Sequence, residues 1–521
     1  NYKECFSMNL STSLTLNANR HPDKIAVICE GRSYTYKELN DEVNRMANGF
    51  LQLGYKKGDK VGMFMKNSDH FIITFYALAK AGLVIVPVNF RLTATETSYI
   101  LAQSDCIAVI CDAEYEEIIS EASKNETDVK HTIVHPQASE SENLNWDEVR
   151  SNNVQEPPVE VVATDDAEIL YTSGTTGQPK GALFDHQRIV NVNTAFIMGT
   201  EINQHDRLIH LAPLFHSAQL NLFFLTGIMV GTTNIIHRDF NPVEVLKAIE
   251  EYKITYFFGV PAMYNALLQV PEREKYNLST VQKCLYGAAP MAPGLIDQAI
   301  ELFGTDQFYN LCGLTEAGPG GVILYPDEHK TKLGAGGKAM FLTNVRVVND
   351  NMEDVQSGET GEFIIRGGTV MKEYYKKPEE TSQALKGGWL FTGDLATIDA
   401  EGYITIVDRK KDMIISGGEN VYSVEVEQVL NSHPKILEAA TIGFPDERWG
   451  EAVGAVLVLK EGETVNEDEI ITFCRERLAG YKIPRKFVYI DQLPRNTSGK
   501  ILKYQLRETY QNEILQGLEG T

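Results

Sequence analysis

Residues 169–183 read ILYTSGTTGQPKGAL. The lead-in Glu168-Ile169-Leu170-Tyr171 has a strand-like apolar pattern, Thr172-Ser173-Gly174-Thr175-Thr176-Gly177 reads as a loop, and after Gln178-Pro179-Lys180-Gly181 the chain turns apolar again. Two glycines among four hydroxyl residues let backbone N–H groups point inward without Cβ interference. The hydroxyls add donors for phosphate oxygens and Lys180 adds a positive charge. A solvated polar loop is the ordinary reading of a Gly/Ser/Thr run. A Walker A loop is excluded, because that pattern needs Gly-Lys-Ser/Thr and Lys180 stands between Pro179 and Gly181.

Upstream of this loop, strand and helix alternate. Residues 25–29, 61–65, 84–88 and 107–111 read as buried strands, separated by helices around 71–80 and 95–101. A helix opens at Thr35 and Glu38, a candidate capping box, carries Leu39, Val43, Met46, Phe50 and Leu53 at helical spacing, and stops at Gly54. The alternation predicts a parallel sheet with helices on both faces. Residues 114–158 are polar and acidic and read as a surface excursion. At 521 residues the chain exceeds a single core, so two or more domains are expected.

A net charge of −23 argues against nucleic acid as a main partner and against anchoring to an anionic bilayer by charge. The apolar runs 222–230 and 83–88 are too short to span a membrane, which leaves at most peripheral contact. The first residues, NYKECFSMNL, lack the basic start and apolar core of a secretory signal. Seven cysteines without paired metal spacing fit reduced thiols and a cytoplasmic location.

Further motifs follow in order. Residues 207–216 read RLIHLAPLFH; an isolated histidine such as His216 is ordinarily a core residue. The Leu- and Phe-rich segment 219–230 is ordinarily core too. Residues 256–264 (YFFGVPAMY) and 285–290 (LYGAAP) look like strand ends opening into loops, where open α/β sheets carry ligands. In NLCGLTE, residues 310–316, Thr315 can bond a phosphate oxygen and Glu316 can offer a carboxylate to Mg²⁺. GWLFTGD places Asp394 after a tight Thr-Gly turn, and VDRKKDMIISGGENVY (residues 407–422) and LPRNTSGK (residues 493–500) complete the set.

Taken together these strings resemble the adenylate-forming superfamily, which includes acyl-CoA synthetases, luciferases and carrier-loading adenylation domains. The likeness covers nearly the whole chain. It implies an α/β fold: a large N-terminal domain of several βα subdomains, residues 1–409, and a small mobile α+β C-terminal domain, residues 410–521. It implies that Thr172, Ser173, Gly174, Thr175, Thr176 and Lys180 hold the β- and γ-phosphates of ATP, and that Gly287, Ala288 and Ala289 contact adenine. By the same likeness Asp394 accepts the ribose hydroxyls, Arg409 is a second contact to the ribose or a phosphate, His216 gates the acid pocket, and Lys411 is the hinge. Gly417 and Gly418 border a pantetheine tunnel, and Lys500 is the adenylation lysine. Cys312 departs from the pattern, since relatives usually place an aromatic there to stack on adenine. Glu373 stands where relatives usually have glycine, and is expected in a surface turn.

The resemblance implies an AMP-forming ligase using ATP, Mg²⁺ and coenzyme A. A carboxylate attacks the α-phosphate, giving acyl-adenylate and pyrophosphate, and a thiol then displaces AMP. Within that chemistry a medium- or long-chain fatty acid is the first reading. The alternatives are an aryl-CoA or succinylbenzoate-CoA ligase, or an acyl-AMP ligase loading a separate carrier protein. A nucleotide sensor without turnover is disfavoured by the joint presence of Glu316, Asp394, Arg409 and Lys500. Oligomeric state is open, a homodimer included.

Overall fold

The computed structural model describes residues 8–124, 127–136, 141–172, 178–289, 291–417, 419–446, 449–495 and 500–518, with side chains described as far as 510. The chain divides into two compact units, Asn1–Val345 with Ile364–Phe391, and Arg346–Phe363 with Thr392–Thr521.

The first unit holds two large sheets. One has eight strands, in the order Glu373–Tyr374, Lys180–Asp185, Asp166–Thr172, Val84–Pro87, Lys60–Phe64, Cys106–Asp112, His131–His135 and Leu144–Asn145. From Asp166–Thr172 onward neighbouring strands are parallel, and the two at the opposite edge are antiparallel. The nine-stranded sheet runs Lys338–Ala339, Gly321–Leu324, Phe308–Gly313, Lys283–Gly287, Tyr256–Gly259, Arg207–His210, Thr233–Ile236, Ile25–Cys29 and Arg32–Thr35. Its central strands are parallel, and Thr233–Ile236 and Tyr256–Gly259 are buried at every position.

Local signals explain the helices between the strands. Helix Tyr36–Gln52 begins with the predicted capping box: Glu38 N–H donates to Thr35 Oγ1 at 3.1 Å and Thr35 N–H to Glu38 Oε2 at 2.8 Å. Gly54, two residues past its end, takes φ +88°.

Three expectations need correction. The segment 114–158 is not only a surface excursion: His131–His135 is a strand of the eight-stranded sheet. Trp146 is buried there, its indole N–H donating to Thr74 Oγ1 at 2.9 Å. Polar clusters on either side diluted the short pattern. In YFFGVPAMY only Tyr256–Gly259 is strand; Pro261–Leu268 is a helix that Pro261 starts, and Tyr264 belongs to the core. Glu373 is exposed on an edge strand, opposite Leu183, not in a turn.

In the second unit, strands Ile436–Asp446 and Gly450–Leu459 form a long antiparallel pair, flanked by Ile414–Ser416 with Glu419–Val421 and by Lys486–Tyr489. Helices Ser423–Asn431 and Glu467–Arg475 cover one core, which includes Val426, Leu430, Val453, Leu457 and Ile470. This mixture of strands and helices is the α+β content expected of the C-terminal domain. Among the described residues no helix is long and apolar enough to cross a membrane.

Candidate active site

The two strands on either side of the glycine- and hydroxyl-rich stretch are neighbours in the sheet. Strands Asp166–Thr172 and Lys180–Asp185 pair antiparallel with Thr172 opposite Lys180, so the two residues stand side by side where the loop begins and ends. Ser173, Gly174, Thr175 and Thr176, and also Gly418, lie outside the described residues.

Thr315 and Glu316 lie on a one-turn helix, Thr315–Ala317, that follows strand Phe308–Gly313. Glu316 Oε1 accepts from the Tyr374 hydroxyl at 2.8 Å and from the Thr172 hydroxyl at 3.4 Å. The ring of Tyr374 faces Lys180, whose Nζ is 4.8 Å from its centroid. Thr172, Lys180 and Glu316, separated by up to 144 residues, are thus brought together, and Tyr374 is the residue that joins them. Sequence reasoning missed Tyr374. Its only signal was an aromatic pair inside the otherwise charged string KEYYKK.

Tyr374→Phe should keep the ring against Lys180 and release Glu316. A hydrogen bond to a charged group contributes about 1.5–3 kcal/mol, so acid-dependent ATP–pyrophosphate exchange is expected to fall at least about tenfold. An unchanged exchange rate would show that the hydroxyl does not hold the carboxylate in place.

Thr315 Oγ1 lies 3.1 Å from Ser217 Oγ, and His216 immediately precedes that serine. His216 is half-buried with its ring 4.9 Å from that of Phe215. Burial, and secondarily the charge of Arg91, pull its imidazole down to about 4, so it is neutral at pH 7.

Gly287 ends strand Lys283–Gly287, and Ala288 and Ala289 are exposed at that carboxyl end. A Cβ on Gly287 would stand 2.4 Å from the Leu311 carbonyl oxygen, so only glycine fits there. Ala288 takes φ +66°, a left-handed conformation that costs a residue with a Cβ on the order of 1 kcal/mol. Cys312 is half-buried on the neighbouring strand, and Tyr309 is in the core against Tyr325, at 6.1 Å between ring centroids.

The remaining candidates belong to the second unit. Asp394 and Arg409 face each other across the hairpin of Trp389–Ile398 and Ile404–Arg409, with Arg409 Nε 2.7 Å from Asp394 Oδ1. The tight turn is built by Thr392, whose hydroxyl donates to the Phe363 carbonyl at 2.6 Å and accepts from Asp394 N–H at 3.0 Å. Gly393 takes φ +71° and donates its N–H to Glu362 at 3.2 Å. Lys411 is exposed, and Asp412 beside it accepts from Arg507 at 2.8 Å. Lys500 is exposed as a residue, yet its ammonium lies in the field of Arg409, Asp394, Lys411 and Asp412. Partial burial of that end, then the charge of Arg409, bring its pKa down to about 8. Gly417 takes φ +63°, and a Cβ there would stand 2.7 Å from the Trp449 ring.

Known proteins match this arrangement along nearly the full chain. The family model described as AMP-binding enzyme matches residues 14–375, and its partner, AMP-binding enzyme C-terminal domain, matches residues 425–500. The chain belongs to the AMP-binding enzyme family. Within it, the chain is an AMP-forming acyl-CoA synthetase. It is 39% identical over 477 residues to a long-chain-fatty-acid–CoA ligase of Mycobacterium tuberculosis, covering 91% of this chain and 93% of the relative. It is 37% identical over 494 residues to a feruloyl-CoA synthase from Amycolatopsis, covering 95% and 97%. Among solved structures, o-succinylbenzoate CoA synthetase from Bacillus subtilis, bound to its acyl-adenylate, superposes with a TM-score of 0.85 at 31% identity, covering 95% and 97%. The same enzyme has been solved with ATP and a magnesium ion.

Proposed function

We propose that this synthetase activates a medium- or long-chain fatty acid with ATP and transfers the acyl group to coenzyme A. The observation that carries the adenylation half is the meeting of Thr172, Lys180, Glu316 and Tyr374 at the ends of the two strands that flank the phosphate loop. Glu316 fits Mg²⁺ by donor chemistry: a hard cation that keeps its waters and takes one or two carboxylates with substrate phosphates needs no larger protein cage. When bound, the ion neutralises charge on the bridging phosphate oxygens.

Lys180 and the loop hydroxyls bind the β- and γ-phosphates, while Asp394 with Arg409 receives the ribose. Thr315, steadied by Ser217, faces the α-phosphate. The substrate carboxylate oxygen attacks the α-phosphorus, the bond to pyrophosphate breaks, and Lys500 stabilises the charge that develops. The coenzyme A sulfur then attacks the acyl carbonyl, loses its proton to solvent, and expels AMP. We place the functional boundary at 409/410, with Lys411 as the hinge that removes Lys500 between steps and Gly417 and Gly418 bordering the pantetheine path. Neutral His216 suits the mouth of an acid pocket, since a cation there would trap the carboxylate.

The fatty-acyl reading rests on the apolar wall after His216. Leu220, Leu222, Phe223 and Phe224 are all buried, and Phe223 stacks on Phe258 at 4.1 Å. The aromatic pair also supports the rival, an aryl- or succinylbenzoate-CoA ligase, as does the likeness to feruloyl-CoA and succinylbenzoate enzymes. Free cysteines, buried apart from half-buried Cys312 among those described, support a reducing, cytoplasmic setting. AMP release over octanoate to palmitate, ferulate and succinylbenzoate, with and without coenzyme A, separates the readings. Turnover that depends on coenzyme A and peaks on an alkyl chain is expected. A peak on an aromatic acid overturns the fatty-acyl assignment. Adenylate without thioester on every acid points to a carrier protein as acceptor.

A further inference from the structure

Glu168 stands on strand Asp166–Thr172, four residues before Thr172, with no exposed surface. Asn221 faces it from the π-helix Ala218–Phe224 and is equally buried. Asn221 Nδ2 donates to Glu168 Oε2 at 3.1 Å. The other oxygen of each side chain, Glu168 Oε1 and Asn221 Oδ1, is buried with no hydrogen-bond partner among the described residues. Two acceptors on one contacting pair are therefore short by a single proton. A neutral carboxylic acid would supply it: with Oε1–H donating to Asn221 Oδ1 beside the observed Asn221 Nδ2–H to Oε2 bond, both orphans would be satisfied. An ionised carboxylate would leave a buried charge unpaired, which is far more costly.

The charges around Glu168 agree. Strand Val84–Pro87 and the π-helix carry no titratable group. Strand Lys180–Asp185 has Lys180 and Asp185 at its two ends, and Asp185 is paired with Arg188 of helix His186–Thr200. His186 of that helix is held by burial at about 4, hence uncharged. On the strand itself Asp166 is paired with Lys372. Tyr76, whose ring is 6.3 Å from that of Phe224, is kept neutral by burial. Burial acts on Glu168 without an opposing cation among the described residues and raises its carboxyl to about 8.

The pair closes a ring of contacts around the site. Asn221 belongs to the π-helix, the π-helix begins after Ser217, Ser217 bonds Thr315, and the adjacent Glu316 accepts from Thr172 on the same strand as Glu168. Gln219 and Asn193 tie the π-helix down at two further points, Gln219 Nε2 lying 2.7 Å from His210 Nδ1 and Asn193 bonding the Asn221 carbonyl. π-helical segments are rare overall and frequent at functional sites, and this one spans seven residues. We propose that Glu168, as a neutral acid paired reciprocally with Asn221, is a positioning residue for adenylation: it locks the π-helix, and with it His216, Ser217 and Thr315, to the strand that leads into the phosphate loop. This builds on the adenylation reading above.

The test uses the full-length enzyme, with wild-type ATP–pyrophosphate exchange established first on its best acid. Absence of that exchange would count against the adenylation reading and leave the pair to be judged by infrared spectroscopy and melting. Glu168→Gln, the isostere of the neutral acid, should keep exchange within about threefold, whereas Glu168→Leu should lower kcat about 10²-fold at little-changed KM for ATP. The double variant Glu168→Gln/Asn221→Asp reverses the acid and the amide and should recover activity relative to Asn221→Leu. The melting temperature supplies a second readout. A glutamate raised from its ordinary value to about 8 binds its proton more tightly folded than unfolded. Its contribution to stability is full below the ordinary carboxylate pKa, falls as pH rises to about 8, and is flat beyond. Glu168→Gln should lose that slope, and infrared difference spectra should lose a protonated-carboxyl stretch. Glu168→Gln as inactive as Glu168→Leu, Leu as active as Gln, or no protonated-carboxyl band in the wild type would each overturn the proposal.

Discussion

Lys500→Ala is expected to lower acid-dependent ATP–pyrophosphate exchange by about 10²–10³-fold, the usual worth of one preorganised donor at a developing charge. Conversion of supplied acyl-adenylate and coenzyme A to thioester should be spared. The two half-reactions separate because charge builds on the α-phosphate only in the first. Equal loss in both would mean that Lys500 holds the fold or the nucleotide rather than the transition state. The wild type adds a pH signature. Partial burial and Arg409 bring Lys500 from the ordinary lysine range to about 8, so the ammonium is complete below that pH and lost above it. The kcat/KM for adenylation should fall as pH rises through about 8. In kcat the same limb should move upward, since a bound triphosphate favours the charged form. Glu168→Gln should keep this limb, which separates the lysine's titration from that of the buried acid.

Glu316→Gln carries the second large effect. The amide keeps its carbonyl oxygen toward Tyr374 and Thr172 but loses the negative charge that Mg²⁺ needs, and the cluster stays assembled because both contacts survive. Exchange should fall by about 10²-fold or more, a loss typical of removing one preorganised charge interaction at a phosphate. Raised magnesium should recover part of the loss, while the melting temperature stays near that of the wild type. A variant as active as the wild type at limiting magnesium would remove Glu316 from the metal's coordination. A variant that is inactive and also melts early would place its role in the fold.

The sequence spoke most clearly where local chemistry and global fold agree. Covered parallel strands appear as apolar runs, the Thr35–Glu38 capping box marks a helix start, and Gly393 and Gly417 occupy positive-φ positions that glycine alone takes cheaply. Gly287 was identified by resemblance, and the structure supplies its physical reason, the 2.4 Å approach of a neighbouring carbonyl. What escaped was long-range. Nothing local in KEYYKK says that Tyr374 will reach Glu316, 58 residues away in the chain. A glutamate in an apolar strand such as EILYT reads as a blemish in the pattern until Asn221, 53 residues on, appears beside it. The strand His131–His135 was hidden for the opposite reason: it is short, flanked by acidic clusters, and three of its five side chains are only partly covered.

The most direct measurement follows the oxygen. The preferred acid, labelled with heavy oxygen in its carboxylate, is turned over with ATP and coenzyme A, and the products are weighed by mass spectrometry. Attack of the carboxylate on the α-phosphorus predicts one labelled oxygen in each AMP released, with none in pyrophosphate. Unlabelled AMP formed alongside acyl-CoA would contradict an acyl-adenylate, and with it the roles given to Lys500, Thr315 and Glu316.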